Sequence, residues 1–321
     1  MSEQLPPETS VWGRAVPTLR QKPVVTREIS HIFTERIAPV IQKKCMAWAK
    51  NKPEYDACRR YVVRRIVDNF FSLTRRDIAY LEGQAGVTIS WETLPRPVED
   101  EEVKKASNDY IKECDNAKTD RAKLACLIER YTNASRVFII GAFYGSAVAK
   151  DSPYYMKPKV ERKKPEKIPI EASEVKMFDA AIKAGNGIRE LCKGFADEEV
   201  RLDNEDARKP AYFYCRVATV FRSLPYSLPR RRELQIAELA KKEGLSNVYK
   251  EVVQETQEDI KTAQSMYKEE LVDRLTNLKG IGATKTPIPY IAVRIARRAV
   301  TSTIGNAIAK KAPYPLQPSG T

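Results

Sequence analysis

Histidine is all but missing: the 321 residues hold one, His31. A His-based general base or catalytic triad is therefore nearly excluded, and so is a multi-His metal centre. Closely spaced cysteine pairs are missing too. Six cysteines are present, with 12 residues between Cys45 and Cys58, 11 between Cys114 and Cys126, and 22 between Cys192 and Cys215. Zinc ligands sit about two to four residues apart, and thioredoxin-like chemistry wants about two between its cysteines, so neither fits. Long apolar runs are lacking. The longest, Val137 to Ala149, is 13 residues, whereas a spanning helix needs about 20. The N-terminus has no apolar core and carries Glu3 and Glu8, unlike a secretory signal. Pro6, Pro7 and Pro17 would break the amphipathic helix of a mitochondrial presequence. Any organelle entry is expected to proceed without an ordinary cleaved leader. A Gly-x-Ser-x-Gly elbow is absent, and so is a dinucleotide-binding βαβ unit, because strand-like segments are nearly absent. Carboxylates cluster at Asp197 to Glu199 and Asp203 to Asp206, but at turn and cap positions that are usually solvated. The expectation is a protein that is not an enzyme, with no cofactor and no metal.

What is abundant is positive charge and proline. Lys and Arg total 56 against 42 Asp and Glu, a net charge of +14, on a chain that is 42% hydrophobic and 31% charged. That balance is globular, and the length suggests about two domains. Residues 1–28, with Pro6, Pro7, Pro17 and Pro23, read as an extended arm. A first helix starts near Thr26 and ends near Lys50, with Pro39 placed to kink it. Asn51-Lys52-Pro53 stops it and starts a second helix, which runs to about Leu81 before Gly83 and Gly86. A short strand-like piece, Val87 to Trp91, follows. A third helix spans about Glu99 to Asn116, and Thr119 or Asp120 caps a fourth that continues to Ala149. Residues 151–170, rich in proline and basic side chains, form a stiff linker. Helices at about 172–197, 207–222, 229–243, 245–278 and 289–311 complete the pattern, and a tail follows over 312–321. The expected fold is all-α: antiparallel helical hairpins in two lobes, 29–150 and 171–311, with extended proline-rich terminal arms.

The cysteines sit symmetrically about the turns. Cys45 and Cys58 flank Asn51 to Pro53, Cys114 and Cys126 flank Asn116 to Asp120, and Cys192 and Cys215 flank the polar stretch Glu198 to Arg208. In an antiparallel hairpin such mates come within disulfide reach. Each bridge would contribute about 3 kcal/mol in the chain-entropy model. Two alternatives stand beside this. One joins Cys45 to Cys126 and Cys58 to Cys114, and the other leaves six buried thiols. Cysteines paired across an α-hairpin on a basic, leaderless chain resemble the coiled-coil-helix-coiled-coil-helix proteins of the mitochondrial intermembrane space. Those are imported without a presequence and trapped by oxidation. The resemblance covers residues 29–131; the gaps here are longer than the family's, and Pro53 interrupts the first. In style the chain is also similar to lineage-specific accessory subunits of mitochondrial ATP synthases and respiratory complexes.

Other motifs are weaker. Lys279-Gly280-Ile281-Gly282 resembles the turn of helix-hairpin-helix DNA-binding proteins, but Pro287 and Pro289 follow too soon, so a glycine C-cap fits better. From Lys279 to Thr321 there are seven basic residues and no acidic one. Arg294, Arg297, Arg298, Lys310 and Lys311 there alternate with isoleucines, as in a basic amphipathic helix that meets anionic lipid, an acidic partner or RNA. A second cluster, Arg59, Arg60, Arg64 and Arg65, forms a ridge whose forks suit carboxylates and phosphates, with Arg75 and Arg76 beyond it. Arg230-Arg231-Arg232 reads as an exposed helix start, against the helix dipole. Gly141 and Gly145 read as a tight helix crossing.

Taken together, the expectation is a structural, non-catalytic accessory subunit of a large mitochondrial inner-membrane assembly, with ATP synthase the first candidate. It would be peripheral, with the intermembrane-space side favoured if the disulfides form and the matrix side as the alternative, and would contact other subunits and cardiolipin or another anionic lipid. The alternative is an RNA-binding accessory protein of the mitochondrial ribosome.

Overall fold

Helix is the only regular element among the residues that the computed structural model describes, 24–70, 75–86, 98–156, 170–200 and 208–279. The strand-like piece Val87–Trp91, the Gly280 to Gly282 turn, the helix expected at 289–311, the tail and most of the arm and linker lie outside these residues. In chain order the helices are α1 (Val24–Ile32), α2 (Ala38–Trp48), α3 (Lys52–Phe70), α4 (Arg75–Ala85), α5 (Glu101–Lys112), α6 (Asp120–Gly145), α7 (Val175–Val200), α8 (Arg208–Ser227), α9 (Arg230–Lys242), α10 (Leu245–Glu255) and α11 (Gln257–Lys279). Short 3-10 turns, Glu113–Asn116 and Ala172–Glu174, follow α5 and precede α7.

Local chemistry sets these boundaries. Proline at position 39 lacks an N–H, and its ring would strike the carbonyl of residue 35 in a regular α-helix. The chain answers with a wider π turn, Phe33–Ile37, in which the Ala38 N–H reaches Phe33 O. Asn51 caps α3: its Oδ1 accepts from the Glu54 N–H at 2.9 Å, and Glu54 accepts from the Lys50 N–H at 2.9 Å. Asp100 caps α5 by accepting from the Val103 N–H, and Thr119 caps α6 by accepting from the Ala122 N–H. The helix expected over 245–278 divides at Thr256, where the backbone swings to φ −113° and ψ 18°. The buried Thr256 hydroxyl donates to Val252 O at 2.7 Å, competing with the backbone for that carbonyl.

Three apolar clusters hold the helices together. In the first, Phe33, Ile41, Tyr55, Val62 and Phe70 of the N-terminal helices pack with Leu245, Val252, Tyr267 and Leu271 of α10 and α11. The first helices are thus closed by the last described ones. The second joins Phe138 and Ala142 of α6 to Ala181, Ile188, Tyr212 and Val220 of α7 and α8. The third gathers Tyr110, Ile111, Leu127, Tyr131, Met177 and Leu228. Helix α6 feeds all three clusters, so it is apolar on more than one face.

Where α6 crosses α7 the backbones nearly touch. A Cβ on Gly141 would stand 2.6 Å from Ala181 Cβ, and one on Gly185 would stand 2.5 Å from Ala142 O; one on Gly145 would overlap Ile182 O. The small residues of the Gly141–Gly145 run are therefore a requirement of packing.

Candidate functional site: disulfide braces and arginine clamps

Three disulfides tie successive helices across their turns. Cys45 of α2 joins Cys58 of α3, Cys114 of the 3-10 turn joins Cys126 of α6, and Cys192 of α7 joins Cys215 of α8, with Cα–Cα separations of 5.6, 5.6 and 5.5 Å. No cysteine is left free. The cross-pairing of Cys45 with Cys126 and of Cys58 with Cys114 does not occur.

The turns of the first two bridges converge on the α9–α10 turn. Trp48, just beyond Cys45, donates its indole N–H to Glu243 O at 2.8 Å. Arg121, in the first turn of α6, lies over the Trp48 ring at 4.7 Å, donates to Trp48 O at 3.1 Å and pairs with Glu243 at 3.2 Å. Lys242 pairs with Asp120 beside it. A cation–π contact, a carbonyl and a carboxylate thus fix one guanidinium, and sequence separations beyond 70 residues meet at one point.

Arg232 is the second clamp, and here the sequence reading needs correction. Arg230 and Arg231 are exposed, but Arg232 is 9% exposed and grips Asp115 with both forks, at 2.8 Å each. Asn108 Oδ1 and Gln235 Oε1 accept from two more of its donors. The acid that offsets a cation at this helix start comes from the chain itself. The Arg232 guanidinium holds the Asp115 carboxyl well below the usual carboxylate range, with Lys123 adding to the effect.

A third set of donors closes the C-terminus of α6. Tyr212 donates to Ser146 O at 2.6 Å, Arg216 donates to Ser146 Oγ at 2.8 Å and to Phe143 O, and Arg189 donates to Gly145 O at 3.3 Å. These donors satisfy carbonyls that the helix end leaves unpaired and complement its negative pole. Burial pushes the Tyr212 hydroxyl up to about 12 and holds Arg216 below its usual value. Deeper in, Glu174 is fully buried, paired with Arg136 at 3.0 Å and accepting from Tyr110 OH at 3.3 Å.

The arginine ridge on α3 faces partners within the molecule. Arg59 lies 3.4 Å from Asp56, Arg60 lies 3.9 Å from Glu129, and Arg64 pairs with Asp68 at 3.5 Å while covering the Tyr131 ring at 5.3 Å. Arg65 lies over Tyr61 and Tyr249, at 5.5 and 5.4 Å. Arg76 is exposed. Arg294, Arg297, Arg298, Lys310 and Lys311 lie outside the described residues. Charge is divided accordingly. The described residues hold 39 Lys and Arg against 34 Asp and Glu, a surplus of five, so nine of the fourteen net charges lie elsewhere, chiefly in 157–169 and 280–321.

Among the described residues no group of three or more His, Cys, Asp or Glu is placed to hold a metal ion, and no helix is long and apolar enough to cross a membrane. Sequence reasoning missed the Arg121 and Arg232 clamps; the only signal for the second was a cation at an unfavourable helix end. No protein-family model, curated protein or solved structure matches the chain.

Proposed function

We propose that the protein is a non-catalytic structural subunit of a large mitochondrial inner-membrane assembly, with ATP synthase the first candidate. Antiparallel hairpins form its body, with the last described helices packed on the first rather than in a lobe of their own, and proline-rich arms reach along neighbouring subunits. The observation that carries this reading is the set of three disulfides, each bracing two successive helices across a turn. Bridges of this kind persist in oxidising compartments. They suit a part whose work is to keep its shape, since each restricts the unfolded chain over a loop of moderate length.

A second observation favours the intermembrane space over the secretory route. The only Asn-x-Ser/Thr triplet of the chain, Asn133-Ala134-Ser135, lies inside α6. Asn133 is half-buried and its Nδ2 donates to Tyr110 OH at 3.5 Å. A glycan attached there would push α5 off α6, so oxidation without glycosylation suits this chain. The basic surplus in 280–321, with Arg294, Arg297, Arg298, Lys310 and Lys311, supplies the contact to cardiolipin or another anionic lipid, or to acidic neighbours.

The test is native purification of the tagged chain in mild detergent, with and without nuclease, followed by identification of its partners. Subunits of one inner-membrane complex, retained after nuclease, are expected. Recovery of ribosomal proteins that nuclease removes would overturn this reading in favour of RNA binding, to which the basic 157–169 and 280–321 segments would then belong.

A further inference from the structure

The three bridges differ in what can reach them. Cys45, Cys58, Cys192 and Cys215 are fully buried and Cys114 is 1% exposed, whereas Cys126 lies part-way to solvent. A thiolate exchanges only with a disulfide it can approach, so access orders the reduction of bridges that are otherwise alike. The place of this least buried bridge gives that order a consequence. Cys114 belongs to the 3-10 turn whose Asp115 holds Arg232 of α9 and pairs with Lys123 at 3.1 Å. The bridge to Cys126 is the covalent tie of this turn to α6, beside the Asp115–Lys123 and Glu113–Arg130 pairs, which are exposed to water at one partner or both. The C-terminal end of α9 is held separately, by Lys242 to Asp120 and by the Glu243 pairing with Arg121. Its N-terminal half depends on the Arg232 grip and on Ile236 and Leu239, which pack against the cluster containing Leu127 and Tyr131.

We propose that Cys114–Cys126 is a redox-sensitive latch: a dithiol reductant opens it ahead of the other two bridges, and opening it frees the N-terminal half of α9 and uncovers Leu127 and Tyr131 on α6. One thiolate of the dithiol attacks a sulfur of the bridge, forms a mixed disulfide and expels the other cysteine as a thiolate, which takes up a proton. The second thiol of the reagent then closes on the first and releases the remaining cysteine. The dithiol is oxidised by two electrons and the bridge is reduced by two. A disulfide donor reverses the exchange and closes the latch. This inference stands on the geometry of the chain alone and holds whichever partner the scaffold serves.

The experiment titrates the oxidised full-length protein with dithiothreitol at graded dithiol-to-disulfide ratios. Differential alkylation and mass spectrometry read each cysteine, and hydrogen exchange is measured on the same samples. Cys114 and Cys126 are expected to be alkylated roughly tenfold faster than the other four. At that stage the amides of Arg232 to Leu239 should lose protection, while those of Leu245 to Val252 keep it. Arg232→Gln should loosen the same amides with all bridges intact. Simultaneous opening of the three bridges, or opening of another first, overturns the proposal. So does full protection of Arg232 to Leu239 after selective reduction. A Cys114→Ser/Cys126→Ser variant should match the reduced state; if it does not accumulate folded, the titration of the wild-type chain still decides.

Discussion

Replacing Gly145 by alanine puts a methyl group where the α6–α7 crossing has no room for one. The new Cβ would overlap Ile182 O and stand 2.9 Å from Ile182 C and 3.1 Å from Asn186 N, whereas ordinary contact begins near 3.4 Å. All three atoms are backbone, so no side-chain rotation relieves the overlap and the helices must part. Parting is resisted along the whole crossing, because Gly141 against Ala181 and Gly185 against Ala142 are already at the limit. It also pulls Arg189 and Arg216 away from the carbonyls that close α6. Opening a packed contact by about 0.5–1 Å forfeits a quarter to a half of its dispersion energy. Overpacking costs about 1–3 kcal/mol, and a backbone overlap belongs at the top of that range or beyond it. The better helix propensity of alanine returns at most about 1 kcal/mol, and less at the last residue of a helix. A net loss of about 2–3 kcal/mol is expected. The control is Gly187→Ala on α7, where a Cβ meets nothing within 4 Å; it should stabilise by up to about 1 kcal/mol. Urea unfolding of the oxidised protein, followed by far-UV circular dichroism, reads both. A Gly145→Ala midpoint equal to that of the wild type, or a Gly187→Ala midpoint lowered as far, would refute the reasoning.

The remaining expectations concern the clamps and the route of folding. The carboxyl of Asp115 is held down by Arg232, so the unfolded chain takes up that proton first. Its contribution is complete above about pH 4 and fades as pH falls toward the depressed folded value. The stability gap between the wild type and Asp115→Asn should therefore narrow below about pH 4, and a gap constant from neutral to acid pH would contradict the clamp. Arg121→Ala removes the contacts to the Trp48 ring, Trp48 O and Glu243. It should cost about 2 kcal/mol and change Trp48 fluorescence, whereas an unchanged denaturation midpoint would mean that the convergence point is ornamental. Expressed behind a secretory leader, the chain glycosylated at Asn133 should stay unfolded and Ser135→Ala should restore folding; a folded, glycosylated product would remove the argument against the secretory route.

What the sequence discloses is local. Asn51 to Pro53 and Asn116 to Asp120 announce turns with residues that cap and restart helices, and the cysteines beside them then fall opposite one another. Gly141 and Gly145 disclose a close approach, though not the residues they meet on α7, Ala181 and Ile182. The long-range arrangement leaves no such mark. Nothing in the periodicity of α1 to α3 says that α10 and α11 will cover Phe33 and Phe70, because an apolar face fits any apolar face. Two helices divide at Thr256 without glycine or proline, and the Thr256 hydroxyl bond to Val252 O is of a kind that Thr132 and Ser135 also make inside the unbroken α6, so composition gives no warning. Arg232 was misread because helix-dipole reasoning asks for an acid nearby without saying where; Asp115, 117 residues away, supplies it.

The placement of charge decides where a polyanion would meet this scaffold. The α3 ridge looks in sequence like a binding surface, yet each of its four arginines faces a carboxylate or an aromatic ring of the same molecule. A phosphate arriving there would compete with contacts already made, and exposed pairs of this length exchange for little gain. The described residues as a whole are close to charge balance, so they create little long-range attraction. The excess lies in 157–169, with six basic and two acidic residues, and in 280–321, with six basic and none acidic. Attraction to an anionic surface grows with uncompensated local charge and is screened over about 10 Å at ordinary ionic strength. If the protein meets a membrane or an acidic neighbour as proposed, the uncompensated charge of these two segments favours them as the contact. On the proposed reading, the braced helices would hold the points from which the segments leave, Met156, Ile170 and Lys279, at fixed positions, a use for which three disulfides are suited.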